Sequence, residues 1–202
     1  MELLRAENKD IDEIVSIHCA AFPNSRTTRM GRQYLRKQYL WFCEYSNPLA
    51  ILACEEERLQ GFAFGSTLVP AEYIFRKCWR EILLSFIRNP ALFFESGMIM
   101  SFVNRCRVIF RESLRKHVCK NKGEKNTTAY FSSMAVRPDL QGRRIGELLV
   151  KAFEDKALEE GCARVMVHTE SDNFRVNNLF QKRGYVLEER IKNTNRFVKY
   201  LS

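Results

Sequence analysis

The feature that most constrains this chain is the run Val136-Arg-Pro-Asp-Leu-Gln-Gly-Arg-Arg-Ile-Gly146. It is a polar, glycine-containing loop between a strand-like stretch, Thr128 to Val136, and a stretch in which Ile145, Leu148, Leu149, Ala152, Phe153 and Ala157 recur at helical spacing. A helix that opens straight out of such a loop presents unpaired N–H groups and the positive end of its dipole, so it can hold a diphosphate. Gly142 and Gly146 let the backbone come close, and Arg143 and Arg144 add charge. An ordinary strand-to-helix turn with a solvated basic pair would read the same way, so the loop has to be judged with its surroundings.

Upstream, Glu2 to Ala6 reads as a short strand, and Asp10 as the cap of a helix carrying Ile11, Ile14, Val15, Ile17 and Cys19. Pro23-Asn24-Ser25 breaks that helix. Met30, Tyr34, Leu35, Tyr39, Leu40 and Phe42 then mark a second one, stopped by Ser46-Asn47-Pro48. Leu49 to Cys54 and Leu59 to Thr67 flank a charged turn and predict an antiparallel hairpin. Tyr73 to His117 reads as two or three helices interrupted at Asn89-Pro90 and Gly97, and Asn121 to Asn126 as a polar loop. Downstream of the central loop, a helix from Ile145 to Glu160 ends at Gly161, and a strand follows from Arg164 to Thr169. A capped helix from about Asp172 to Lys182 and two last strands, Val186 to Glu189 and Arg196 to Leu201, complete the order. This predicts an α/β fold: a mixed, mostly antiparallel twisted sheet flanked by helices, with one parallel crossover.

The 202 residues, 46% of them hydrophobic, suffice for one core, so a single domain over 1–202 with a basic helical insertion at about 71–120 is expected. Seven scattered cysteines form neither a CxxC pair nor a zinc-spaced Cys/His cluster. Reduced thiols in a cytoplasmic protein without a metal fit best. The N-terminus carries charge early and no apolar core with a small-residue cleavage site, and no uncharged run is long enough to span a membrane, so secretion and insertion are not expected. The net charge is +9, and Ala71 to Lys120 holds ten Lys/Arg against four Glu. Such a segment attracts anions, whether small-molecule phosphates, acidic lipid or nucleic acid. Nucleic acid is not expected as a partner, because no zinc-finger, RRM or recognition-helix motif accompanies the charge.

In its second half the chain resembles the GNAT superfamily of acyl-CoA-dependent N-acetyltransferases. That family's pattern is a strand ending in Val-x-Pro, then Gln/Arg-x-x-Gly-x-Gly/Ala and a helix, then a strand, Asn-x-x-Ala-x-x-x-Tyr and a Gly-Phe pair. Here the matching residues are Val136, Pro138, Gln141, Ile145 and Gly146, then Asn173, Val176, Leu179, Phe180, Gly184 and Tyr185. The resemblance is specific from about Tyr130 to Tyr185, and only the element order agrees over Glu2 to Thr67. It implies a GNAT-like fold, acetyl-CoA as co-substrate and transfer to an amine by direct attack in a ternary complex. It further implies that the strand Met134-Ala135-Val136 pairs with the pantetheine arm, with a backbone N–H near Met134 stabilising the developing oxyanion. Gln141, Gly142, Arg143, Arg144, Ile145 and Gly146 would hold the diphosphate. Asn173 would touch the arm from the other side, or simply cap its helix.

Two residues depart from the family pattern. Arg144 stands where a glycine is usual, so the loop must accommodate a side chain. Phe180 stands where a tyrosine often protonates the leaving thiolate, and phenylalanine has no proton to give. Tyr130, Tyr185 and Ser133 are the candidate replacements, and a thiol is also acidic enough to leave with help from water. A non-catalytic acyl-CoA-binding or regulatory module is the alternative that this departure raises. For the general base the candidate is His168, whose ordinary pKa suits an ammonium substrate, with Glu170 as second choice; a packed strand histidine would look alike. The acceptor is expected to be a small or conjugated amine, such as an amino sugar, an acidic nucleotide-sugar or a peptide amine. Arg26, Arg29, Tyr34, Trp41, Trp79 and Arg80 are available to bind it. The 71–120 insertion would either close over the acceptor as a helical lid or rest on an anionic membrane through Trp79, Ile82, Leu83, Phe86, Ile87 and the Leu92-Phe93-Phe94 cluster.

Overall fold

A computed structural model describes residues 1–45, 49–67, 70–90 and 128–201. The expected polar loop at 121–126 and the insertion beyond residue 90 lie outside the described residues. The elements are β1 (Glu2–Arg5), α1 (Ile11–Ala21), α2 (Arg26–Arg29), α3 (Arg32–Tyr45), β2 (Ala50–Glu55), β3 (Arg58–Ser66), α4 (Pro70–Arg88), β4 (Thr128–Val136), α5 (Ile145–Glu159), β5 (Arg164–Glu170), α6 (Phe174–Lys182), β6 (Val186–Ile191) and β7 (Thr194–Tyr200).

The strands form one seven-stranded sheet in the order β1-β2-β3-β4-β5-β7-β6. Every neighbouring pair is antiparallel except β4 and β5, which run parallel and are joined through α5. The alternation along β3 explains how both faces are covered. Phe62 and Phe64 point into a cluster with Ile14, Val15, Leu35, Tyr39 and Phe42 of α1 and α3 and with Ile74, Cys78, Ile82 and Phe86 of α4. Ala63 and its neighbours on the other face meet Leu149, Val150 and Phe153 of α5 and Phe180 of α6. The sheet is therefore the middle layer of three.

Two local details differ from the expectations. Asp10 does not cap α1 with its own oxygen; its Oδ2 accepts from the Glu7 N–H at 2.9 Å and closes the single 3-10 turn, Asn8–Asp10, that precedes the helix. Tyr34 and Trp41, expected at an acceptor site, are buried in the α3 core stripe. On α4, Ile82 and Phe86 are also buried, while Trp79, Leu83 and Ile87 face out. Among the described residues no helix is long and apolar enough to cross a membrane. Cys19, Cys43, Cys54 and Cys78 are free thiols, and burial pushes Cys43 and Cys78 up to about 12, which disfavours their thiolates.

Candidate active site

The site begins with an interrupted pairing. β4 and β5 pair only from Thr128↔Arg164 to Phe131↔Val167, after which β4 runs on to Val136 and β5 to Glu170 without further pairs between them. The cause lies on the other edge of β4: Phe64 pairs with Ser133 but Gly65 with Phe131, so Ser132 is an extra residue, a bulge. A bulge bends its strand and increases the local twist, which turns the second half of β4 away from β5. The fork leaves one side of the Met134–Val136 backbone without a strand partner.

A cavity of about 570 Å³ occupies the fork. Met134, Ala135 and Val136 form one wall, Asn173, Val176 and Leu179 of α6 another, and Gln141, Gly142, Arg144, Ile145, Gly146 and Glu147 the end. Every cofactor-binding candidate from the sequence except Arg143 thus lines it, and Arg143 is exposed on the same loop. Among the described residues no side chain caps α5, so its first-turn amides are open to a ligand. Arg144 immediately precedes the helix in the left-handed conformation, φ 61°, the one a glycine would adopt most readily. The loop keeps the glycine-like backbone and carries the side chain.

Sequence reasoning missed two cations at this cavity, Arg175 and Lys182. Arg175 Nη1 donates to Gln141 Oε1 at 2.8 Å and so ties α6 to the loop. The available signal was position, since Arg175 sits in the first turn after Asn173. Asn173 caps α6, its Oδ1 accepting from the Val176 N–H at 3.2 Å, and it also lines the cavity. At the far end of α6, Gly184 (φ 86°) lets the Tyr185 N–H reach the Phe180 carbonyl at 3.0 Å, and the two rings meet at 5.0 Å. The spacing from Phe180 to Gly184-Tyr185 is a helix-ending motif.

A second cavity, about 310 Å³, adjoins the first and shares Phe22, Met134, Asn173 and Val176 with it. His18, Ser25, Thr27, Gln38, Phe131, Ser132, Ser133, Val167, His168, Thr169, Glu170 and Phe180 complete its lining. None of Arg26, Arg29, Tyr34, Trp41, Trp79 and Arg80 lines either cavity. His168 is exposed, and desolvation, followed by the charge of Arg196, holds its pKa below the ordinary value, which favours the neutral form that can act as a base. Buried Asn177 fixes the loop beyond it: its amide donates to the Glu170 and Ser171 carbonyls at 3.1 and 3.2 Å and its oxygen accepts from Thr169 Oγ1. Phe180 is 1% exposed and packs edge-on against Phe131, with no polar atom to offer. Of its three candidate replacements, Ser133 lines the cavity, whereas Tyr130 and Tyr185 do not. Tyr185 is buried, and desolvation, then Glu154, raises its pKa beyond useful range.

His18 is the other residue the sequence did not single out. It is 5% exposed, with Nδ1 2.6 Å from the Tyr39 hydroxyl, and Tyr39 in turn lies 2.9 Å from Ser133 Oγ. Burial lowers its pKa to about 4.

A central strand that forks from its parallel neighbour beside an uncapped helix N-terminus has the shape and the backbone donors that suit an extended, phosphate-bearing ligand. The model of the acetyltransferase (GNAT) family matches residues 11–185, and the chain belongs to that family. Among solved structures, it is similar to the PaiA N-acetyltransferase of Thermoplasma acidophilum in complex with coenzyme A, at 11% identity, TM-score 0.60 and 98% coverage of each chain. It is also similar to YncA of Salmonella typhimurium with its cofactor acetyl-CoA, at 14% identity and TM-score 0.62, covering 100% of this chain and 94% of that one. The ribosomal-protein-S18-alanine N-acetyltransferase of Escherichia coli matches at 10% identity and TM-score 0.56, covering 99% and 92%. At these identities the likeness is one of fold: the mixed seven-stranded sheet flanked by helices is that of GNAT acetyltransferases.

Proposed function

We propose that the chain transfers an acetyl group from acetyl-CoA to a primary amine by direct attack, and the observation that carries this is the fork between β4 and β5. The residues fit the donor. Strand atoms of Met134 and Val136 lack a partner on the cavity side and suit the amide-bearing arm, while the uncapped α5 amides, with Arg144, Arg175 and Lys182, suit the phosphates. Acetyl-CoA, when bound, supplies the activated acyl group. Around it, a Met134 backbone N–H would face the oxygen where charge develops, and His168 would take the amine's proton. Among the described residues that line the second cavity, Glu170 is the one carboxylate and there is no Lys or Arg. That suits a small cationic amine better than the acidic acceptor considered from the sequence.

Calorimetry with acetyl-CoA, followed by thiol release over an amine panel, tests the proposal. Arg175→Glu is expected to weaken acetyl-CoA binding about 10-fold, by removing one charge-assisted contact and loosening Gln141. An unchanged affinity would take Arg175 out of the phosphate site. His168→Ala is expected to lower kcat/KM about 100-fold near pH 7, the low end for general-base loss because solvent reaches this position. Wild-type turnover across pH would remove His168 from the account. The second reading, a binding module without turnover, is favoured by Phe180 itself, which lines the second cavity without a proton to give, and tight acetyl-CoA binding with no thiol release on any amine would support it.

A further inference from the structure

The wall of the second cavity contains a hydrogen-bonded chain whose polarity is fixed at one end. Thr28 Oγ1 lies 2.7 Å from the Phe22 carbonyl, which can only accept, so the Thr28 proton is spent there. A hydroxyl has one proton, so each next partner must donate towards Thr28. Ser25 Oγ donates to Thr28 Oγ1 at 3.0 Å, and Thr27 Oγ1 donates to Ser25 Oγ at 3.1 Å. The Thr27 oxygen then has only lone pairs for His18 Nε2, 3.0 Å away, which places the imidazole proton on Nε2 and leaves Nδ1 bare. Nδ1 accepts from the Tyr39 hydroxyl at 2.6 Å, and the Tyr39 oxygen accepts from Ser133 at 2.9 Å. The proton of Ser133 is used, and this partly exposed residue shows the cavity lone pairs alone.

We infer that Ser133 is the residue that grips the acceptor amine, accepting one of its N–H groups, and that Tyr39 and His18 are positioning residues that keep its hydroxyl turned that way. The inference rests on the acyltransferase reading. Its chemistry is specific. An amine attacks through its lone pair, and a hydroxyl that donated to the amine would occupy that pair. One that accepts holds the nitrogen and leaves the pair free. Ser133 consequently has no proton for the departing thiolate, which leaves with help from water. The chain requires a neutral His18, and its burial supplies one.

Two measurements on the full chain test this. The first is 15N NMR of His18 at pH 7, where a protonated Nε2 and bare Nδ1 are expected; the opposite tautomer overturns the assignment. The second is an NMR titration with n-butylammonium chloride as the amine probe. Ser133→Ala is expected to weaken binding about 10-fold, and Tyr39→Phe several-fold, with the double variant no weaker than Ser133→Ala alone. Tyr39→Phe retains the ring packing against Phe62 and Phe64, so a folding defect does not intrude. Equal binding by all four proteins, or losses that multiply in the double variant, overturns the inference. Acetyl-CoA affinity is expected to be unchanged in every variant. Failure of the wild type to bind acetyl-CoA would overturn the acyltransferase reading, while the tautomer and amine titration would still judge Ser133.

Discussion

Gly65→Ala is expected to lower folding stability by about 3 kcal/mol, and to abolish ligand uptake with it. A Cβ at Gly65 would stand 2.3 and 2.4 Å from two ring atoms of Phe153 and 2.4 Å from the Tyr130 carbonyl oxygen. Phe153 is fully buried and locked against Phe131 at 4.5 Å, so the ring has nowhere to go. Tyr130 pairs with Met166 on β5, so its carbonyl is held by the sheet. Gly65 also sits at the register shift that creates the Ser132 bulge. Relief must therefore come from displacing β4 at the point where it forks, which moves both cavity walls. Urea unfolding and acetyl-CoA calorimetry on the variant check this; an unshifted midpoint would mean that the backbone does not approach Phe153 this closely.

The second large effect concerns acid. His18 has a folded pKa of about 4 against an ordinary value of 6.5, so between those limits the unfolded chain binds a proton that the folded chain refuses. Stability contributed by the neutral, buried imidazole is complete above pH 6.5 and is lost as pH falls towards 4. The full loss is about 3 kcal/mol, from the linkage of roughly 1.4 kcal/mol per pH unit. Urea midpoints measured from pH 7 to pH 4 should fall more steeply for the wild type than for His18→Gln. Parallel slopes in the two proteins would show that His18 titrates normally.

What the sequence made legible was local. The loop after Val136 stood out because Pro138, Gly142 and Gly146 punctuate it at fixed distances, and α5 because Ile145, Leu149 and Phe153 repeat on one stripe. Non-local features were hidden. His18, Tyr39 and Ser133 are 21 and 94 residues apart in succession, and only the packing of α1 and α3 on the sheet brings them together. The Ser132 bulge has no signature of its own. Tyr34 and Trp41 are a case where a signal was present: both lie seven residues apart on the helical stripe of Leu35, Tyr39 and Phe42, a core pattern.

The fork in the sheet bears on handling the protein as well as on its chemistry. Unpaired backbone along a strand is the kind of edge on which chains associate, and natural sheets cover or shorten such edges. Here the open run of β4 is recessed between Phe22 on one side and α6 on the other. A slender molecule reaches it and a neighbouring sheet does not. The recess that suits a slender ligand also shields this open backbone from pairing with a neighbouring sheet.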